Sequence, residues 1–235
     1  MRNKKIILFL SFWVGILSNA VAEKGFIKFP SGDFDYLVLS LSWSPQFCSD
    51  RKNRIKNPKQ CDIKSSQQNN KHGFVVHGLW PQFRNGGYPS FCSRKGLEPE
   101  VIVKYQYLFP SNKLMIHQWN KHGSCYSKNP DDYFMAIDKL NSIVEKIIPL
   151  DYFNLEKSFK ESKFSLIDKF NIQAKTNNLS FESSNFSIYC SRNHRFLREV
   201  RICFNTNLSP SQCDPKLVKT SKKSCADRTF IVRSF

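Results

Sequence analysis

A chain of 235 residues, 40% hydrophobic and 23% charged, can bury a sizeable core and is too evenly composed to be disordered throughout. Its 36 Lys and Arg against 19 Asp and Glu give a formal net charge of +17. That balance suits polyanionic partners: nucleic acid, anionic glycans or membrane surfaces. No internal repeat or linker divides the chain, so the pattern predicts a single α+β domain, an antiparallel sheet with helices.

Residues 1–22 read as a secretory signal peptide and 23–235 as the domain. Met1 to Lys5 is basic, Ile6 to Leu17 is apolar but too short to span a bilayer core, and Ala20-Val21-Ala22 is a small-x-small cleavage site. Removing Arg2, Lys4 and Lys5 leaves a charge of about +14. No later segment is long and apolar enough for a membrane helix. The expectation is a secreted, extracellular monomer without membrane contact. Eight cysteines (Cys48, Cys61, Cys92, Cys125, Cys190, Cys203, Cys213 and Cys225) suit an oxidising compartment and imply four bridges of open connectivity. No C-x-x-C pair argues for zinc. Asn178, Asn185 and Asn207 head N-glycosylation motifs that fit the same route.

From Asp35 to Trp43 the chain alternates, with Leu37, Leu39, Leu41 and Trp43 on one face and Ser40 and Ser42 on the other, predicting a strand with one buried face. Residues 50–72 read as an exposed polar loop containing His72. Phe74-Val75-Val76 is a short buried strand that delivers His77, and Asn85-Gly86-Gly87 is a turn. Helices are predicted from Pro99 to Leu108, from a Ser111 cap to about His122 with Gly123 as the stop, and from Asp131 to Ile148 before Pro149. A second amphipathic helix is predicted over Leu155 to Phe164. Strands follow at Phe186 to Cys190 and Val200 to Phe204, with His194 in the turn between them and a basic, cysteine-tied tail after. Trp43 and Trp119 read as core.

Useful chemistry gathers at His77 and in His117-Gln118-Trp119-Asn120-Lys121-His122. In a helix His117 lies one turn from Lys121, and Gln118 one turn from His122, so the four share one stripe. Cleavage of RNA needs a base for the 2′-hydroxyl, an acid for the departing 5′-oxygen and a cation for the transition-state phosphate. Two histidines and a lysine supply these without metal or cofactor. A metallohydrolase built on His77, His117 and His122 is the rival, but the helical pair is five residues apart and no carboxylate joins it.

Phe74-Val75-Val76-His77-Gly78-Leu79-Trp80-Pro81 and His117-Gln118-Trp119-Asn120-Lys121-His122-Gly123-Ser124-Cys125 resemble the two active-site segments of the ribonuclease T2 family. The resemblance runs from about Phe34 to the C-terminus. It implies an antiparallel sheet flanked by helices, His122 as general base and His77 as general acid, and His117 and Lys121 on the scissile phosphate. The reaction implied is endonucleolytic cleavage of single-stranded RNA through a 2′,3′-cyclic phosphate. The bridges implied are Cys48–Cys61, Cys92–Cys125, Cys190–Cys225 and Cys203–Cys213. Trp80 is implied as the base-stacking aromatic, with Gln82 and Tyr88 as further substrate contacts by spacing. Where the family has glutamate this chain has Gln118. The loss of charge predicts a weakened enzyme whose kcat rises on Gln118→Glu, and it keeps open an RNA- or partner-binding protein with little catalysis. The basic charge resembles the stylar self-incompatibility ribonucleases of flowering plants, which implies a protein recognition partner of the F-box type in pollen. A defence or phosphate-scavenging S-like ribonuclease is the alternative.

Overall fold

The computed structural model describes residues 29–61, 73–149, 152–153, 157–225 and 229–235. The expected signal peptide and His72 lie outside them. Among the described residues there are six strands: β1 (Tyr36–Trp43), β2 (Phe74–Gln82), β3 (Phe159–Ser162), β4 (Phe186–Cys190), β5 (Leu197–Phe204) and β6 (Thr229–Val232). The main sheet is antiparallel in the order β2-β1-β5-β4, and β3 pairs with β6 in a two-stranded sheet.

One face of the main sheet builds the large core. Leu37, Leu39, Leu41 and Trp43 of β1 pack there with Phe74, Val76 and Leu79 of β2, Ile188 of β4 and Val200, Ile202 and Phe204 of β5. The helix Pro130–Ile147 lays Phe134, Ile137, Leu140, Val144 and Ile147 on this face. Its first turn is set by Pro130 and by Asn129, whose side chain accepts from the Asp131 N–H. The second amphipathic segment is shifted from its predicted place. Phe159–Ser162 is extended against β6, and the helix runs from Lys163 to Thr176 behind a Ser162 cap. Pairing with β6, far away in sequence, outweighs local helical periodicity there.

The one-faced reading of β1 needs correction. Tyr36, Val38 and Ser40 are buried too. Tyr36 and Val38 pack with Cys203, Cys213 and the helix Pro215–Ser224 through Leu217 and Val218. The basic tail therefore covers the second face of the sheet. Residues 50–61 are not plain loop either: short helices at Arg51–Lys56 and Pro58–Cys61 fold back under the Cys48–Cys61 bridge. All four bridges join the pairs that the resemblance implied. Of the three glycosylation motifs, Asn178 and Asn207 are exposed. Asn185 is only 6% exposed and its amide oxygen accepts from the Glu182 N–H, so the folded chain closes that position.

Candidate active site

The strand β2 does not deliver His77 as an ordinary ladder residue. Ser40 pairs with Gly78 and Leu41 with Val76, which leaves His77 as the extra residue of a β-bulge. A bulge bends its strand and re-aims one side chain. Two residues on, the buried hydroxyl of Tyr133 donates to the Leu79 carbonyl at 3.0 Å, and the Leu79 N–H returns to that oxygen at 3.4 Å. The long helix thus fixes the strand that carries His77.

The second wall is the helix Asn112–Gln118 and its continuation. Ser111 caps it, accepting from the Leu114 N–H. The predicted stop at Gly123 is not found: Trp119–Gly123 widens into a π-turn and the chain stays helical through Ser124–Tyr126. Gly123 has a helical φ of −62°, so it is not a left-handed cap. A Cβ there would stand 2.6 Å from the Trp119 ring and 2.7 Å from that of Tyr133, so close ring packing is what requires glycine. Single-turn π insertions are frequent at functional sites. The expected stripe becomes two rows: Gln118 and His122 are buried, His117 is exposed and Lys121 lies between. The segment is strapped down from outside by Cys92–Cys125, by the Phe91 N–H on the Lys121 carbonyl at 3.0 Å and by the Trp119 indole N–H on the Lys95 carbonyl at 3.0 Å.

The two walls meet at Trp80. Its ring lies 5.3 Å from that of His77, edge to face, and 5.5 Å from that of His122. Its indole N–H donates to Gln118 Oε1 at 2.8 Å. Gln118 therefore holds Trp80 rather than Lys121. Gly78 makes this possible, because a Cβ there would fall 2.0 Å from Gln118 Oε1. Trp80 is half-buried, with the Arg201 guanidinium 4.8 Å from its ring centre. Tyr88 is the more open aromatic, 46% exposed, 5.8 Å from the His122 ring and 5.4 Å from Lys121 Nζ. The Gln82 amide is turned back onto the Pro81 carbonyl at 2.9 Å.

The electrostatics of the two histidines differ. Burial pushes the His122 imidazole down to about 3, helped by the charges of Lys121, His117 and His77. His117 is also lowered, first by burial and then by Lys121 and His77. His77 faces a carboxylate instead: its Nδ1 lies 3.7 Å from Oε2 of Glu199, an ion-pair contact longer than a hydrogen bond. Glu199 is 5% exposed and its other oxygen accepts from Arg201 Nε. Burial alone would raise this carboxyl, but the facing His77 and Arg201 hold it down at about 2. Glu199 and Arg201 are on β5, two strands from His77, and the strand between presents only Ser42 and Ser40 opposite them. The polar face of β1 is thus part of the floor of the site.

Glu199 was missed because the predicted strand began at Val200, while Arg201 fell inside that strand without being given a role. The available signal was a pair of opposite charges at alternate positions of an otherwise apolar run. His194 sits at positive φ in the turn after β4, with Nδ1 2.6 Å from the Ser224 carbonyl. Among the described residues no group of three His, Cys, Asp or Glu side chains is arranged to hold a metal ion.

Comparison with known proteins gives the family and the fold. The model of the Ribonuclease T2 family matches residues 34–213. A ribonuclease of Aeromonas hydrophila is 32% identical over 233 residues, 98% of this chain and 99% of that one. A probable ribonuclease of Haemophilus influenzae is 30% identical over 191 residues, 77% of this chain and 62% of its own length. In fold, the chain is similar to trichomaglin, described as an S-like ribonuclease, with a TM-score of 0.58 at 20% identity over 77% of this chain and 92% of that one. With the family match running from the start of the sheet to the last cysteine but one, and a relative aligned almost end to end, this chain belongs to the ribonuclease T2 family.

Proposed function

We propose that the protein cleaves single-stranded RNA without a metal, through a 2′,3′-cyclic phosphate, with His122 as general base and His77 as general acid. The observation that carries this reading is the pair of imidazoles from two separate elements flanking one indole in opposite electrostatic surroundings. A neutral, buried His122 is ready to take the 2′-hydroxyl proton at any physiological pH. The freed 2′-oxygen attacks phosphorus, the P–O5′ bond breaks, and His77 protonates the leaving oxygen. Lys121 and His117, at the rim, stabilise charge on the phosphoryl oxygens. The cyclic product is later opened by water to a 3′-phosphate.

Tyr88 is the base-stacking residue in this reading, since it is open to solvent whereas Trp80 is held by Gln118 and faces Arg201. A cavity of about 580 Å³ beside His77, bordered by Arg192, Arg198 and Arg201, gives the nucleotide on the leaving side a cationic surface. Four disulfides support an oxidising, extracytosolic location. The nearly full-length likeness to a bacterial ribonuclease favours a general, S-like role. A stylar role with an F-box-type partner rests on the basic charge alone, and expression confined to the style would be its mark.

The test is hydrolysis of yeast RNA by the purified, fully bridged protein, with and without EDTA, and analysis of the new ends. Cyclic phosphate termini at a rate indifferent to EDTA are expected. No cleavage by the bridged protein would favour the binding reading, and loss of cleavage in EDTA would favour a metallohydrolase.

A further inference from the structure

We infer that Glu199 is a positioning residue for the reaction: it orients His77 and fixes which ring nitrogen meets the substrate. This deepens the ribonuclease reading and rests on it. A carboxylate on a central strand at 5% exposure is costly unless it is paired. Arg201 supplies the pairing on one oxygen and is itself immobilised, 4.0 Å from the Tyr189 ring and 4.8 Å from that of Trp80. The second oxygen is left aimed across β1 at Nδ1 of His77, at 3.7 Å. That nitrogen is buried and without a hydrogen-bond partner, so the carboxylate is the acceptor placed for its proton. Ser40 and Ser42, the residues of β1 paired with Arg201 and Glu199, are small enough to leave the path open.

The consequence is a defined tautomer. With Nδ1–H directed at Glu199, Nε2 is the atom that exchanges a proton with the departing 5′-oxygen. The carboxylate thereby holds the ring in one orientation, with Nε2 turned to the cavity. Among the described residues, no second carboxylate competes with Glu199 for His77. His117, Lys121 and His122 approach from the helix and Arg192 and Arg198 border the same cavity, while Arg201 is engaged with Glu199. An acid, an orienting carboxylate and a clamp on that carboxylate form a chain His77–Glu199–Arg201, separate from the helix-borne residues.

Two measurements test this. Nitrogen-15 NMR of the wild-type protein, above the titration of His77, should find Nδ1 protonated and Nε2 bare; the opposite tautomer would overturn the proposal without any mutation. In Glu199→Gln, kcat on a dinucleoside monophosphate should fall by about ten- to hundredfold with KM within about twofold. In the same variant the Nδ1–H tautomer of His77 should lose its preference in the nitrogen-15 spectrum. Glu199→Asp should bring kcat and the tautomer part of the way back. An unchanged kcat and an unchanged tautomer in a folded Glu199→Gln protein would refute the role. Such a result would leave the ribonuclease reading intact, because that reading fails only if wild type leaves RNA uncut.

Discussion

The sheet wall and the helix wall of the site each present one histidine, and they treat it in opposite ways. His77 stands on a bulge of β2 and faces the buried carboxylate of Glu199. His122 sits in a π-turn, 6% exposed, with Lys121 beside it and Gln118 where an acid could have been. Burial and neighbouring cations drive His122 to its neutral form, down to about 3, whereas His77 has a carboxylate at ion-pair distance. In the proposed reaction that difference in surroundings separates the base from the acid. The lesson is that identical imidazoles acquire distinct roles from what the two walls put behind them.

The largest expected effect breaks the comparison outright. His77→Ala and His122→Ala should each lower kcat/KM on single-stranded RNA by at least about 10³-fold with the fold preserved by circular dichroism. The two are then separated by a substrate whose leaving group needs no proton, a nucleoside 3′-(p-nitrophenyl phosphate). His77→Ala should recover most of its rate on it and His122→Ala should not. Recovery by His122→Ala instead would exchange the roles.

Next in size is Lys121→Met, expected to cost about 10²-fold in kcat through the lost cation at the phosphate. It also tests the electrostatics of the helix wall. Lys121 holds the His122 pKa down, second to burial, so removing it should raise that pKa. A base works only when deprotonated, and its loss of activity appears as pH falls. The acidic limb should therefore move to higher pH in Lys121→Met. An acidic limb that stays in place would remove Lys121 from the account of His122.

How much of this was legible in the sequence follows from the same contrast. The helix wall was readable as residues, because its chemistry lies within six consecutive positions, but not as geometry. A period of 3.6 cannot announce the π-turn at Trp119–Gly123, which depends on rings packing at Gly123. The sheet wall was readable only at His77. Its partner arrives from β5, more than a hundred positions later, by a pairing through β1 that no local pattern contains. The core stripe of Pro130–Ile147 was plain, because one amphipathic helix carries its own periodicity. The extended Phe159–Ser162 was hidden, because β6 decides it.

The strap that holds the helix wall gives a smaller but separable effect. Cys92→Ser with Cys125→Ser opens a bridge over a separation of 33 residues and should lower stability by roughly 2–4 kcal/mol. Denaturant titration reads that directly. Because Cys125 follows His122 by three positions, kcat should fall as well, while the His77 tautomer, fixed by β5, should not change. A tautomer change on breaking this bridge would mean that the two walls are not independent.

The smallest effect concerns the charge the helix wall lacks. Gln118→Glu would place a carboxylate at a position 2% exposed, where Trp80 already offers an indole N–H at 2.8 Å to accept. The donor lessens the cost of burying the charge, and the new negative charge, next to Lys121 and one turn before His122, would make His122 a stronger base. The expected result is a kcat a few-fold higher, about two- to fivefold, with the acidic limb moved to higher pH. Stability should drop slightly, because a glutamine that suits its buried site is replaced by a charge. If kcat falls, the amide of Gln118 matters for holding Trp80 between the two histidines more than the missing charge matters for the base. The opposition between the walls would then rest on burial and cations alone.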